Sequence, residues 1–559
     1  MMSSIVEAKK TEVKEAIEKA LQAAQEAGQL SFQTLPAFVV EQPREKVFGD
    51  FAANVAMLLS KEAKMPPRRI AEIIVAHLPK EGPLFEKVEI AGPGFINFYL
   101  GKSWLEEVLP VVLREGDDYG KSDFGQGEKI QIEFVSANPT GLLHMGNARG
   151  AALGDTLSNV LQGAGYDVTK EFYINDAGNQ IENFGRSLEA RYFQLLGHDV
   201  PFPGEGYHGQ DVIETVQKII AEVGDKYLTV DEDLRREFLI QKALEEKLTN
   251  IKNDLARFGV EYDVWFSEQS LHDSGAIART IQELQERELV YEKEGALWLK
   301  TTAFGDEKDE VLVRSNGIPT YFAADIAYHC NKFERGFSKV INIWGADHHG
   351  HVARMKGAMQ ALGYDPDALH VILMQLVRLF RQGEIVRMSK RSGQYITLSE
   401  LIDEVGKDAA RFFFVMRGAD SHLDFDLDLA KAESSENPVY YVQYAHARVC
   451  SILKASVDEV PSYEQVDFSL LKEEAELDLI RKIADLPDEI VQAAVSYEPH
   501  HLTRYAHELA SLFHSFYNSC RVLVDDVELR KARLALIEAT RITLRNVLRL
   551  LGVSAPERM

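Results

Sequence analysis

The sequence predicts an α/β protein: a doubly wound parallel-sheet (Rossmann-like) central domain behind an α+β N-terminal domain, interrupted by a helical insertion and followed by an all-α C-terminal domain. Three observations predict it. A β-rich run (Ile130, Ile132, Phe134, Val135) passes through a polar turn into an apolar-periodic helix over about 148–163, the strand–loop–helix step that opens such folds. Further apolar runs at 167–173, 296–300, 311–314, 340–344 and 371–380 read as strands on either side of a helical stretch at about 185–295. Beyond about 425 the chain reads as helix to its end.

At 559 residues the chain exceeds what one hydrophobic core serves, so several domains are expected. The pattern divides it into 1–116, 117–430 (with the insertion at about 186–295) and 431–559. The polar segment 116–129, with four glycines, marks the first boundary. A hydrophobic content of 45% with 27% charged residues is ordinary globular composition. No apolar run reaches the about 18 residues a membrane span needs, and the charged N-terminus lacks a signal peptide's apolar centre. Cys330, Cys450 and Cys520 are too scattered for a disulfide framework or a cysteine-rich zinc site, so a reducing cytoplasm is expected. The net charge of −25 argues against broad attraction to nucleic acid, but contact needs only a local patch. Residues 521–559 carry eight basic and five acidic side chains.

In chain order, Val13, Ile17, Leu21 and Ala24 form one helical stripe. A strand is expected at 37–40, helices at 50–61 and 68–78, and a hairpin at 88–90 and 95–99 around Gly92-Pro93-Gly94. The strand at 167–173 ends in the polar cluster 175–180, which should face the ligand crevice. Helices at 211–223 and 233–258 fill the insertion. Thr320 is placed to cap a helix on which Tyr321 and Asp325 lie one turn apart. The strand at 340–344 ends in Gly345-Ala346-Asp347-His348-His349, followed by a helix at 352–362. Near the C-terminus Arg541, Arg545 and Arg549 share one helical face, an RNA stripe or a solvated surface.

Two motifs carry chemistry. Ala137-Asn138-Pro139-Thr140-Gly141 followed by His144-Met145-Gly146-Asn147 resembles the first signature of class I aminoacyl-tRNA synthetases, in its arginyl version. Arg387-Met388-Ser389-Lys390-Arg391-Ser392-Gly393 resembles their second signature, with Arg for the first Lys. Either alone is weak; both in this order, at the two ends of an α/β region, are specific. The similarity continues through Gly49–Ala52, Ala91–Asn97, Gly317–His329, Asn437–Arg448 and the Ala-Pro-Glu-Arg-Met finish. By resemblance the chain is identified as a member of the arginyl-tRNA synthetase family of bacterial type.

That resemblance implies activation of arginine by ATP and transfer to the terminal 2′-OH of tRNA(Arg), with bound tRNA needed for the first step as well. It implies a tRNA-contacting N-terminal domain, an anticodon-binding C-terminal domain and a monomer. ATP is a substrate, Mg²⁺ is expected with it, and no zinc. The catalytic candidates are His144 and Lys390, with Asn147 and Arg387. Each offers a cation or hydrogen-bond donor to a crowded phosphate, where positioning and charge stabilisation do most of the catalysis. ATP binding is assigned to Gly141, His144, Gly146, Asn147, Gly345, Ser389 and Lys390. Asn147 stands where the family often has a second His, which leaves it a binding role. Arginine binding is assigned to Glu133, Ser136, Asn138, Tyr321, Asp325 and His349, a planar guanidinium being best met by a carboxylate. The His348, His349 and His351 cluster invites a zinc reading, but its setting resembles the adenosine and amino-acid wall of class I enzymes. A silent RNA-binding paralogue would not need His144, Gly146, Ser389 and Lys390. A nucleotidyltransferase would be shorter and lack the long helical C-terminal domain. Among other amino acids, lysine is the competitor to exclude.

Overall fold

A computed structural model describes residues 4–43, 45–79, 84–386, 396–456 and 463–559. The expected N-terminal stripe buries Val13, Ile17, Leu21 and Ala24 on helix Ile5–Glu26. The helix packs on helix Pro67–His77 and on the edge strand of an antiparallel sheet in the order Val40–Glu41, Phe51–Ala53, Phe95–Leu100, Phe85–Ala91. The helix expected over 50–61 is corrected: Phe51 pairs opposite Phe98 and Ala53 opposite Ile96, and only Val55–Leu59 is helical. So short an apolar run fits either state, and pairing with the hairpin decides it. Gly49 makes the entry turn, with φ +90° and a position where a Cβ would lie 2.6 Å from the Phe98 carbonyl.

The central sheet is parallel and five-stranded. Its strands are β1 (Lys129–Glu133), β2 (Asp167–Ile174), β3 (Val264–Ser267), β4 (Lys339–Gly345) and β5 (Leu369–Met374), in the order β5-β4-β1-β2-β3. The order reverses between β1 and β4, and ligands of such sheets sit at that switch, beyond the strand carboxyl ends. Three helices reach that edge: α1 (Met145–Gly163), α2 (Tyr321–Glu334) and α3 (His349–Ala361). α1 is buried along most of its length. It runs between the sheet and helices Lys407–Val415 and Leu486–Ser496.

Three expectations change in the middle of the chain. Helices Asn179–Leu195, Gln210–Val223 and Glu232–Arg257 share a small core of Phe184, Leu188, Tyr192, Val216 and Leu239. The helical region is interrupted, however, by β3, which belongs to the central sheet, and resumes with helices Gln269–Asp273 and Ala276–Glu286. The strands expected at 296–300 and 311–314 form, but as a separate antiparallel sheet of Val290–Lys293, Ala296–Leu299 and Glu310–Val313. Glu294 and Gly295 both take positive φ, the two-residue turn matched to hairpin twist. The run at 371–380 also splits. β5 ends at Met374, and Val377–Arg381 pairs in parallel with Leu423–Asp426.

The C-terminal region packs helices Pro438–Ala455, Glu474–Ala484, Leu486–Ser496, His500–Ser519 and Val527–Leu550. Its arginine stripe is engaged within the protein. Arg541 grips Glu538 with two bonds of 2.8 and 2.6 Å, while Arg545 and Arg549 both reach Asp117. All three cysteines are buried free thiols. No helix among the described residues is long and apolar enough to cross a membrane.

Candidate active site

The site begins where β1 stops. Val135 and Ser136 take φ of +68° and +40°, a left-handed step that non-glycine residues rarely make and that concentrates at functional sites. It turns Ser136 back, so that its Oγ donates to Glu133 Oε1 at 2.8 Å and accepts from the Tyr173 amide at 3.1 Å. The strand ends β1 and β2 are thereby joined.

Glu133, expected to hold a cationic group of the substrate, holds one of the protein's own. Lys332 Nζ, fully buried, donates to Glu133 Oε2 at 2.6 Å and to Asn342 Oδ1 at 2.9 Å. Asn342 Nδ2 donates to His329 Nε2 at 2.7 Å, and His329 Nδ1 donates to the Asp325 carbonyl at 2.7 Å. Burial holds the His329 pKa well below the usual range, which keeps the ring neutral and able to do both. A continuous buried chain therefore runs from Ser136 to the backbone of Asp325, behind the crevice.

In front of that chain, Asp325 is half-exposed, with Oδ2 3.2 Å from His351 Nε2. The imidazole beside Asp325 is therefore His351, framed by Trp344 and Phe322. His349, the residue assigned from sequence, starts α3 with its side chain exposed. Tyr321 is 42% exposed and lies over Gly178, where a Cβ would sit 3.2 Å from its hydroxyl. Asn138 Nδ2 donates to Gln180 Oε1 at 2.7 Å. The 175–180 cluster thus faces the same crevice, as expected.

Glu268 was not anticipated. It follows β3, is 3% exposed, and its carboxyl is pushed up to about 7 by burial, with Asp325 and Asp176 adding to the shift. The Asn175 amide, turned with its nitrogen inward, lies 3.1 Å from Glu268 Oε2. The buried Tyr173 hydroxyl faces the same carboxyl, and its hydrogen bond there opposes part of that upward shift. A polar residue at a strand's carboxyl end was the available signal, but it was masked because 185–295 reads as helical. Carboxylates crowded beside a buried hydroxyl are suited to a cation that carries several N–H donors.

Across the switch point, His144 caps α1. Gly146 N donates to His144 Nδ1 at 3.1 Å, and His144 N donates to Asn147 Oδ1 at 3.0 Å. With Nδ1 accepting, the proton of the neutral ring sits on Nε2. Asn147 commits its oxygen to this cap and keeps its NH₂ for donation. A Cβ at Gly146 would press on the His144 ring at 3.1 Å, whereas at Gly141 it would meet nothing within 4 Å. Gly345 closes β4 beside Asp347.

Arg387, Ser389 and Lys390 lie outside the described residues, but both flanks of their segment are fixed. On the near side Val386 N donates to the Leu379 carbonyl at 2.8 Å. On the far side Leu398 N donates to the Leu143 carbonyl at 2.9 Å, and Thr397 pairs with His144. Buried Arg149 on α1 ties the same region together, donating to the carbonyls of Gln375, Gly418 and Ser421 at 2.7, 3.0 and 2.9 Å.

With this geometry in view, the chain's relatives decide its family. The profile described as "Arginyl tRNA synthetase N terminal domain" matches residues 11–100, "tRNA synthetases class I (R), catalytic domain" matches 108–417, and "DALR anticodon binding domain" matches 442–559. The Arginine–tRNA ligase of Moorella thermoacetica is 65% identical over 559 residues, covering 100% of both chains. The chain belongs to the arginyl-tRNA synthetase family. The Arginine–tRNA ligase of Heliobacterium modesticaldum is 64% identical, again over 100% of both chains. Among solved structures, a putative arginyl-tRNA synthetase from Campylobacter jejuni has a TM-score of 0.76 at 35% identity, covering 82% of this chain and 100% of that one. The Thermus thermophilus arginyl-tRNA synthetase shares the fold, with a TM-score of 0.74 at 23% identity over 98% and 100% of the two chains. As a member of this family the protein is a class I aminoacyl-tRNA ligase that joins arginine to tRNA, with ATP as substrate.

Proposed function

We propose that arginine and ATP meet over the β1–β4 switch point with these roles. The guanidinium lies between Asp325 and Glu268, with the Tyr321 ring along its edge, while Ser136 and Asn138 orient the α-amino and carboxylate end. A planar group with paired N–H edges uses two carboxylates in a way that lysine's compact ammonium does not. ATP lies with its phosphates at His144 and the N-terminal end of α1, where helix dipole and unpaired amides favour anions. Gly141, Gly146 and Asn147 leave room and donors there, and Gly345 borders the adenosine. His349 stays at the rim of the wall. Mg²⁺ arrives with the nucleotide, held by phosphate oxygens and water.

The arginine carboxylate oxygen attacks the α-phosphorus of ATP. The new P–O bond forms as the bond to the β-phosphate bridging oxygen breaks, and pyrophosphate leaves. His144 donates to the oxygens that gain charge, and Lys390, Arg387 and Ser389 approach from the second signature. The 2′-OH of the terminal adenosine of tRNA(Arg) then attacks the carbonyl carbon; AMP departs, and the hydroxyl proton leaves with it. The protein works as a monomer in the cytoplasm, and bound tRNA(Arg) is required for the first step too. The observation that carries this reading is the backbone pairing of Leu398 with Leu143, which joins the flank of one signature to the other.

ATP–pyrophosphate exchange across all amino acids, with and without tRNA(Arg), tests the reading; exchange with lysine but not arginine would end it. Asp325→Ala should raise the KM for arginine about tenfold to a hundredfold, as expected for an unpaired charged hydrogen bond, and leave the KM for ATP unchanged. Equal effects on both constants would mean the guanidinium lies elsewhere. Glu268 gives a pH test with a definite sign. Its carboxyl is raised to about 7, so falling pH neutralises it and removes an acceptor for the cation. The KM for arginine should therefore rise between pH 8 and pH 6, and Glu268→Gln should abolish that slope. A slope unchanged in the variant would clear Glu268 of any part in binding.

A further inference from the structure

Away from the substrate groups, one side chain joins four segments that are distant in sequence. Arg411, on helix Lys407–Val415, is fully buried. Its Nη2 donates to Asp155 Oδ2 on α1 at 2.6 Å. Its Nε donates to the Leu551 carbonyl at 3.0 Å, and its Nη1 to the carbonyls of Phe258 and Gly259 at 3.2 Å each. Leu551 caps the last helix of the anticodon-binding domain, and Phe258 caps the long helix of the insertion. Two helix C-termini, each with orphan carbonyls and partial negative charge, thus converge on one guanidinium. Gly552 shows how closely the group is held: a Cβ there would lie 2.2 Å from Arg411 Nη2. One turn along α1, Asn159 Nδ2 makes a second bond to the same helix end, 3.1 Å from the Leu550 carbonyl.

We propose that Arg411, seconded by Asn159, is a positioning residue for catalysis: it ties α1 to the last helix of the anticodon-binding domain, so tRNA held there governs how His144 is set. α1 is one unbroken helix from Met145 to Gly163, so displacement at Asp155 or Asn159 is carried to its N-terminal cap. The bonds are shielded from water and salt, and together they form a contiguous polar network of the kind that transmits coupling. Lysine could keep the charge but not the planar fork that meets four acceptors at once.

This inference rests on the reading that the C-terminal domain holds tRNA(Arg), and the test separates the two. The isolated anticodon stem-loop of tRNA(Arg) is titrated onto the full-length wild-type enzyme, and amide hydrogen exchange is followed along α1. Binding should slow exchange there about fivefold or more, the lower end of usual coupling strengths. In Arg411→Lys and in Asn159→Ala the stem-loop should still bind, and the change along α1 should disappear. For both variants kcat with full-length tRNA(Arg) should fall about tenfold with KM for tRNA nearly unchanged. An acceptor-stem minihelix, which cannot reach the anticodon-binding domain, should be charged at the wild-type rate. Stem-loop binding that slows exchange only within the C-terminal helices would overturn the proposal, as would parallel losses with minihelix and full-length tRNA. A stem-loop that does not bind would remove the reading of the domain, and the proposal with it.

Discussion

Lys332→Met is expected to destabilise the catalytic domain by about 3–5 kcal/mol, the usual cost of removing one partner from a buried ion pair. The Lys332 ammonium is fully buried and bonds both Glu133 and Asn342. Without it, Glu133 must hold a charge in a low-dielectric interior or take up a proton, and Asn342 loses its donor. Calorimetry on the variant should show the catalytic transition moving down. Lys332→Met combined with Glu133→Gln should recover much of the loss, because no uncompensated charge remains. The same variant decides the role of Glu133. If that carboxylate held a cationic group of the substrate, as expected from sequence, freeing it from Lys332 would tighten arginine. If it is the anchor seen here, arginine binding weakens as Ser136 and the β1–β2 junction loosen. A single variant within about 1 kcal/mol of wild type would contradict the desolvation argument.

His144→Ala should lower the kcat of arginine-dependent exchange about 10²–10³-fold, or about 2.7–4 kcal/mol, as for loss of one donor to developing charge. KM for arginine should move little, since the proposed guanidinium site lies across the switch point. His144 also caps α1 through Gly146, and losing a cap costs about 0.5–2 kcal/mol of stability. His144→Asn separates the two effects: a short polar side chain can still cap, so the fold should be kept while the rate remains depressed. Full activity in either variant would remove His144 from the chemistry.

Much of this site is legible in the sequence where local pattern and tertiary role agree. The strand, turn and helix around His144 each carry their own signal, and Tyr321 and Asp325 follow from a cap and a helical turn. What stays hidden depends on partners remote in the chain. Glu268 sits after a four-residue strand that follows a 26-residue helix, too short a run for periodicity to register. Lys332 and Glu133 are 199 residues apart, so nothing local distinguishes a binding carboxylate from a paired one. The partner of Arg545 and Arg549 is hidden for the same reason, because Asp117 lies 428 and 432 residues earlier in the chain. Phe51–Ala53 shows the reverse case: its apolar pattern allowed a helix, and the neighbouring hairpin claimed it as a strand.

The three buried thiols give the enzyme an internal clock for its own opening. Cys330 lies on α2 with its thiol pushed up to about 12 by burial, while Cys450 and Cys520 sit among the C-terminal helices, also raised by burial. A thiol that is neither ionised nor exposed reacts only when its surroundings unfold. Pulse-labelling with a maleimide, site by site, would therefore time the breathing around α2, beside the proposed arginine pocket, separately from that of the C-terminal helices, with no foreign probe built in.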